Sequence, residues 1–565
     1  MTGRTLGRPK GLRYELVLGR PKGLHYVLVL AFLLCGVAEG AAQSQAVGDS
    51  HDAASWVELS QAFAVADQPS EALEAIEKAF QLSPDSVDFL RARATLATWS
   101  GDYGRARDSY ERLARLQPDD HDVVLNLARV AAWAGKTDAA VDAYTRYLRL
   151  EPNAAGALIE LARTEGWRGN YGAALRRLEE YQVRFGGDES YRREKAAILV
   201  GAGRPDEALD ILEPLLRQHP DDYDLNVTRT IALTSLQRRR EAAASLQTVR
   251  RLQPDTHQTH SAERLYRAAL APTIDPGFRI YSDSSTLRVE RLTPRATVAF
   301  AKGTTLGVGS EHERLTASQG SRLEQIDGTE SASHDHIWVS AAQHFNRVGV
   351  RGRIGQARTD ARDLTTYEIA ADVTPADGLT FSLGRDAGFF VVSPRTVGLG
   401  LSQISHRASL GWAPGIRWQI AADVWRQSLS DGNRRWEFTL SPRYGLVRTA
   451  LVNLDLGATV SQLRTTTNYE NGYYDPARYE FYAVTANPYW KAGESTGFGL
   501  SLGVGAQRDD FSPSFRPGGN ATAEATFGIY DPWALKVSAG TTVNQRLGSG
   551  AFRGYGAGVT VIRRF

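Results

Sequence analysis

The chain has 565 residues, 42% of them hydrophobic and 23% charged, which excludes both a disordered chain and a helical membrane protein. Its formal charge of +2 originates at the N-terminus: residues 1–42 carry six basic and two acidic side chains, leaving a net of −2 elsewhere and no basic footprint for nucleic acid. The single cysteine, Cys35, lies in the same segment, so the remainder has no disulfides, thiolate metal sites or cysteine nucleophiles.

Residues 1–42 read as an export signal. A basic stretch leads into the apolar run Tyr26–Val37, and small residues follow at Ala38, Gly40, Ala41 and Ala42. The run is too short to cross a bilayer as a helix, which takes about 20 residues. Cleavage is expected after Gly40 or Ala42, with a linker over 43–52. The phrase LGRPKGL occurs twice, at 6–12 and 18–24, and the second copy suffices as the basic region.

From 53 to 256 the sequence repeats every 34 residues, marked by Pro84, Pro118, Pro152, Gly186, Pro220 and Pro254. An alanine recurs at the same spacing at Ala72, Ala106, Ala140, Ala174, Ala208 and Ala242, and a turn glycine at Gly101, Gly135, Gly169 and Gly203. Small residues there let two helices cross closely, and proline ends the second helix. The first repeat, with Trp56, Leu59, Ser60, Phe63, Ala72, Ile76, Ala79 and Pro84, resembles the tetratricopeptide pattern. The expectation is an α-solenoid of six repeats. The sixth is degenerate, with Arg229 and Thr230 at the usual Leu–Gly positions, and residues 257–275 supply a capping helix and a linker.

From 276 to 565 the period falls to two. Val452, Leu454, Leu456, Ala458 and Val460 share one face; Asn453, Asp455, Gly457, Thr459 and Ser461 share the other. Segments of about ten residues alternate in this way between turns, which predicts a transmembrane antiparallel β-barrel of about 14–16 strands, apolar outside and polar inside. Aromatics near segment ends, among them Phe389, Trp412, Trp436, Trp490 and Trp533, suit interfacial girdles. The last strand, Tyr555–Phe565, ends the chain on phenylalanine, and this Phe565 resembles the assembly signal read by the bacterial barrel-assembly machinery. Arg563 stands where that pattern usually has an apolar residue.

An exported solenoid followed by a barrel resembles the tetratricopeptide-repeat outer-membrane exporters of exopolysaccharide, the poly-N-acetylglucosamine and bacterial cellulose type. The repeat phrases at 127–140 and 161–174 resemble repeats of that group. Gly472, Tyr473, Tyr474, Asp475, Pro476 and Tyr479 resemble a barrel phrase of the cellulose exporter. The resemblance implies a Gram-negative outer-membrane location with the repeats in the periplasm. It also implies a secreted polysaccharide of the biofilm type as substrate, periplasmic partner proteins recruited by the repeats, and contact with outer-membrane lipid.

The chemistry on offer is transport, with no cofactor, no metal and no catalytic set expected. His334-Asp335-His336 is the one dense histidine site: on a strand its two histidines would share a face as a metal pair would, but it reads as a hydrated loop before a strand at Ile337. Strand parity points Glu368, Asp372, Asp423, Asp455 and Glu524 into the lumen together with Arg351, Arg353 and Lys536, either as an acidic wall or as bracing ion pairs. Trp425 and Tyr530 are expected inward. In the solenoid, Trp99, Trp133 and Trp167 fall 34 apart, with Arg129 and Arg163 one turn before the second and third. They form either a groove ladder for a glycan or peptide, or packing between repeats. A scaffold with a plugged lumen and an outer-membrane enzyme acting on glycan or lipid remain the alternatives to a channel.

Overall fold

The computed structural model describes residues 52–84, 86–300, 303–345, 347–376, 378–415, 417–449, 451–544 and 552–565. The expected export signal, Cys35 and all of the 43–52 linker except Asp52 lie outside the described residues. Two compact units part between Ala202 and Gly203.

Among the described residues the first unit contains nine helices: α1 (Ala53–Val65), α2 (Pro69–Leu82), α3 (Val87–Ser100), α4 (Tyr103–Leu116), α5 (His121–Trp133), α6 (Thr137–Leu150), α7 (Ala155–Trp167), α8 (Tyr171–Phe185) and α9 (Glu189–Gly201). Short polar side chains begin many of them: Ser86, Asp102, Asp120, Asn170 and Asp188 each accept a hydrogen bond from the amide three residues on. The recurrent alanines do what their spacing implies. Ala72, Ala106, Ala140 and Ala174 are all 0% exposed, so any larger side chain there would force the helix pair apart. Ser60, at the small-residue position of the first repeat, is buried, and its hydroxyl donates to the Ala72 carbonyl at 2.8 Å.

The second unit opens with α10 (Pro205–Gln218), α11 (Tyr223–Ser235), α12 (Arg239–Leu252) and α13 (His257–Leu270). The degenerate sixth repeat still forms its pair. Thr230 is fully buried and donates to the Ser245 hydroxyl at 2.8 Å, and Arg229 binds Glu213 at 2.8 Å. A polar contact thus replaces a close-packed small residue. The capping helix α13 buries Ala262, Leu265 and Leu270.

The rest of this unit is a closed antiparallel barrel of sixteen strands. Strand β1 comprises Thr273–Ile274 and Gly277–Asp283, and β2 comprises Arg288–Leu292 and Arg295–Ala299. Each is interrupted by a two-residue break containing Pro276 or Pro294, which cannot donate to the ladder. Then follow β3 (Thr304–Thr316), β4 (Ser331–Phe345), β5 (Val348–Thr359), β6 (Asp363–Ala376), β7 (Leu379–Phe389) and β8 (Ser402–Trp412). The remainder are β9 (Trp418–Leu429), β10 (Arg434–Arg448), β11 (Val452–Thr465), β12 (Tyr479–Lys491), β13 (Gly497–Asp509), β14 (Arg516–Phe527), β15 (Trp533–Asn544) and β16 (Phe552–Arg564). Each strand pairs with the next, and β16 closes on β1 with Gly554 opposite Asp283 and Thr560 opposite Gly277.

The alternation resolves as expected. Leu383, Val484 and Val504 are 65%, 71% and 76% exposed, and similar apolar side chains stand outward on strand after strand. An apolar exterior on a closed sheet suits lipid, whereas water would penalise it. No described helix is long and apolar enough to cross a membrane. Trp412, Trp436, Trp490 and Trp533 are exposed near strand ends as girdle residues, but Phe389 is buried.

The helices of this unit meet one rim of the barrel. Gly303, in the turn between β2 and β3, donates its amide to the Gln237 carbonyl, and Arg264 pairs with Glu494 in the turn between β12 and β13. The chain end is fastened at the same rim: the Phe565 amide donates to the Pro272 carbonyl at 3.0 Å. Arg563 stacks on Trp533 at 4.8 Å and on Phe565 at 5.3 Å, so its charged group is held between two interfacial rings. Its departure from an apolar residue therefore has a local compensation.

Candidate functional site: the barrel interior and its cap

Opposite-face residues of the apolar stripes form the inner wall, and many of the charges there are paired. Arg351 binds Asp372 at 2.6 Å and Arg353 binds Glu368 at 3.0 Å, across neighbouring strands β5 and β6. Arg407 binds Asp423 at 2.8 Å, and Ser409 donates to the same carboxylate at 2.6 Å. Arg448 pairs with Asp455. Glu524 faces inward opposite Ser538 and Gly499. Glu368, Asp372, Asp423 and Asp455 therefore each sit on an arginine of an adjacent strand, which braces the sheet. Trp425 lies on the inner face between Arg407 and Glu437. Tyr530 does not: it belongs to the turn between β14 and β15, because Gly528 ends the preceding strand with a left-handed turn.

The histidine site also differs from expectation. Strand β4 begins at Ser331, so His334 and His336 stand on the inner face within the ladder, and Asp335 points outward to His312 at 2.6 Å. Buried His334 contacts buried Glu313 at 3.0 Å. Arg291 pairs with Glu313, and Glu311 lies 3.8 Å from the same guanidinium. Glu311, Glu313 and His334 offer ligand atoms within 4.8 Å of one another, yet Arg291 already occupies the carboxylate face that a cation would take. The cluster was legible in part: E-H-E at 311–313 and H-D-H at 334–336 share a parity, but only the register of β3 with β4 sets them opposite each other.

At the rim away from the helices, three long loops fold into the mouth. Residues 390–401, containing the short helix Pro394–Gly398, cross it. On one side Val391 and Val397 pack with inward Leu315, Ala332 and Ala357 of β3, β4 and β5; on the other, Phe390 and Leu401 pack with Leu429 of β9 and with Tyr473. Loop 317–330 joins through the Arg395 amide, which donates to the Leu323 carbonyl at 2.9 Å, and through Arg395 Nε to the Glu324 carbonyl at 3.0 Å.

The third loop, 466–478, carries most of the family-like phrase, and each of its residues has a structural task. Gly472 has φ +81°, and a Cβ there would stand 2.6 Å from Arg395 Cβ and 2.7 Å from Ser393 Oγ. Tyr473 is 3% exposed; its hydroxyl donates to Asp431 at 2.7 Å and accepts from Asn433 at 2.9 Å. Burial, and then the Asp431 carboxylate, push this phenol well above the usual tyrosine range, so it remains a donor. Tyr474 donates to Asp509 at 2.6 Å. Burial raises the Asp475 carboxyl, which accepts the Tyr469 amide at 2.8 Å. The Pro476 carbonyl accepts from the Thr465 hydroxyl at 2.6 Å. Tyr479, at the start of β12, packs edge-on against Tyr474 with ring centroids 5.9 Å apart. The phrase is the fastening of a cap.

In the first unit the candidate ladder is packed. Trp99 and Trp133 lie half-buried against one apolar cluster and Trp167 against the next. Arg129 forks onto Glu160 with two bonds of 2.9 Å, and Arg163 binds buried Glu194 at 2.6 Å. The two acids are 34 residues apart, so the arginines link successive repeats. Their recurrence was visible in the sequence, but nothing there singled them out as the arginines' partners.

Tetratricopeptide-repeat models match residues 57–121 and 92–155, and a further one matches residues 199–271. No curated protein matches the chain. Among solved structures, a bacterial polysaccharide outer membrane secretin is similar with a TM-score of 0.45 and 11% identity, over 52% of this chain and 98% of that one. A tetratricopeptide repeat protein from Parabacteroides merdae is similar with a TM-score of 0.35 and 19% identity, over 39% and 87% of the two chains. PilW, a type IV pilus biogenesis factor, gives 0.31 and 14%, over 37% and 97%. The chain thus joins tetratricopeptide repeats to a closed sixteen-stranded barrel, the architecture its sequence resemblance implies.

Proposed function

We propose that the protein is an outer-membrane channel through which a secreted polysaccharide leaves the cell, with the repeats in the periplasm recruiting partner proteins or guiding the glycan. The observation that carries this reading is a closed barrel of sixteen strands, apolar outside and lined by ion pairs within, at a strand number of about sixteen where barrels are wide enough for an aqueous path. Ion pairs along the wall leave hydroxyl-rich, uncharged polymer free of both strong attraction and strong repulsion, which permits entry and exit. The cap of loops 317–330, 390–401 and 466–478 is then the gate. On this reading the protein is a transporter and not an enzyme.

The cap also favours a second reading, a scaffold whose lumen is plugged. Planar-bilayer recordings separate the two. A channel gains conductance when residues 391–400 are replaced by a short glycine–serine linker, and its deletion from the cell abolishes appearance of the polysaccharide outside. A barrel that stays non-conducting without this segment, in a strain whose extracellular polysaccharide is unchanged, would overturn the export reading.

A further inference from the structure

The outer surface carries a feature that transport does not use. Strand register sets Arg385 of β7 opposite His406 of β8, His406 opposite Arg426 of β9, Arg426 opposite Trp436 of β10, and Trp436 opposite Arg464 of β11. Five side chains on five successive strands therefore form one unbroken row. All five are exposed and share the outward parity of Leu383, Phe438 and Leu456. The row lies in the half of each strand nearer the capped rim.

Its charge is uncompensated. No Asp or Glu occupies an outward position anywhere on these five strands. Arg385 donates to the Tyr367 hydroxyl, at 3.1 Å. Among the described residues, Arg426 and Arg464 have no carboxylate within ion-pair distance. The contrast with the inner wall is sharp, since there Arg351, Arg353, Arg407 and Arg448 all hold carboxylates. An arginine turned toward lipid without a counter-ion is unfavourable, least so near the interface. Guanidinium forks match phosphate oxygens in charge and geometry, and Trp436 supplies a flat amphipathic ring at the headgroup level.

We propose that this row binds the phosphate groups of an anionic lipid in the leaflet around the capped rim. The inference rests on the outer face being lipid-facing. The occupant is the phosphorylated sugar headgroup of a glycolipid held laterally against β7–β11, below the cap, with acyl chains along the apolar stripes of the same strands. The lipid orients and anchors this side of the barrel.

The test uses the full chain in phosphatidylcholine nanodiscs doped with bisphosphorylated lipid A, with its dephosphorylated counterpart, or with neither, and inorganic phosphate as a separate competitor. Retention of the doped lipid is read by native mass spectrometry, and heat-modifiable gel mobility reports the closed barrel. Wild type should retain the phosphorylated lipid selectively, in a salt-sensitive manner. The variant R385Q/R426Q/R464Q should lose about fivefold per arginine, on the order of a hundredfold in all. R426Q alone, a milder change, should lose roughly fivefold. Equal retention of phosphorylated and dephosphorylated lipid, or a triple variant that is heat-modifiable and binds like wild type, overturns the proposal while leaving the membrane reading intact. Displacement by millimolar inorganic phosphate alone would show an unspecialised anion surface and also overturn it. A wild-type chain that does not insert at all removes both.

Discussion

Gly472→Ala tests whether the cap is held as described. Two costs add at this position. The backbone has φ +81°, a region that costs an L-residue roughly 1–2 kcal/mol. The new methyl would stand 2.6 Å from Arg395 Cβ and 2.7 Å from Ser393 Oγ, and overpacking of that kind costs about 1–3 kcal/mol. Together they should destabilise the cap by about 2–5 kcal/mol, while the strand ladders, which the residue does not join, remain closed. Amide exchange reads this directly. The Arg395 and Tyr469 amides, bound to Leu323 and Asp475, should exchange at least about 30-fold faster, and the heat-modifiable mobility of the barrel should not change. If the cap is the gate, the same variant raises open-channel occupancy in planar bilayers. Unchanged protection at both amides would refute the account of Gly472 as a position where two loops meet too closely for a side chain.

Trp133→Ala should lower stability by about 2–4 kcal/mol, somewhat below a fully buried tryptophan, and Glu194→Ala by about 1–3 kcal/mol through the loss of Arg163's partner. Thermal melts of the helical signal check both, and an unchanged melt for Trp133→Ala would return that residue to an open groove. Burial alone would raise Glu494, but Arg264 outweighs it and holds this carboxyl below the usual glutamate value of 4.5. A depressed value contributes stability above pH 4.5 that is lost as the pH falls through the folded-state value, so the difference in melting between wild type and Glu494→Gln should be modest near neutrality and shrink steadily in acid; a difference that does not shrink as the pH falls below 4.5 contradicts the pairing. Deleting Phe565 removes the hydrogen bond from its amide to the Pro272 carbonyl and one ring beside Arg563, and should reduce the heat-modifiable fraction far more than total synthesis, as measured by semi-native gels.

What the sequence disclosed was whatever has a period. The 34-residue spacing of Ala72, Ala106, Ala140 and Ala174 specified buried helix crossings, and the alternation over 452–460 specified the outward and inward faces of β11. Register and loop packing have no such periodicity. Nothing in the order of residues places Glu313 opposite His334, or Arg426 between His406 and Trp436, because each depends on how far one strand is staggered against the next. The sequence reads His334 and His336 as a loop before a strand at Ile337, whereas the ladder extends to Ser331 because β3 is long enough to pair with it. The phrase at 472–479 was recognisable, but its task was not: Gly472 and Tyr473 act on residues 40 or more positions earlier, which only the inward folding of three loops brings near.

The seam of the barrel sets an order on its assembly. Strand β1 finds its second partner in β16, so Gly277–Asp283 waits for residues 554–560 before either edge is covered. Throughout that interval both margins expose unpaired amides and carbonyls beside an apolar face, the combination most prone to pairing with another chain. The fastening of Phe565 to Pro272 lies at the very point where the two margins meet. Without it the seam loses a bond where its margins meet, and closure of the ring competes less well with pairing to another chain.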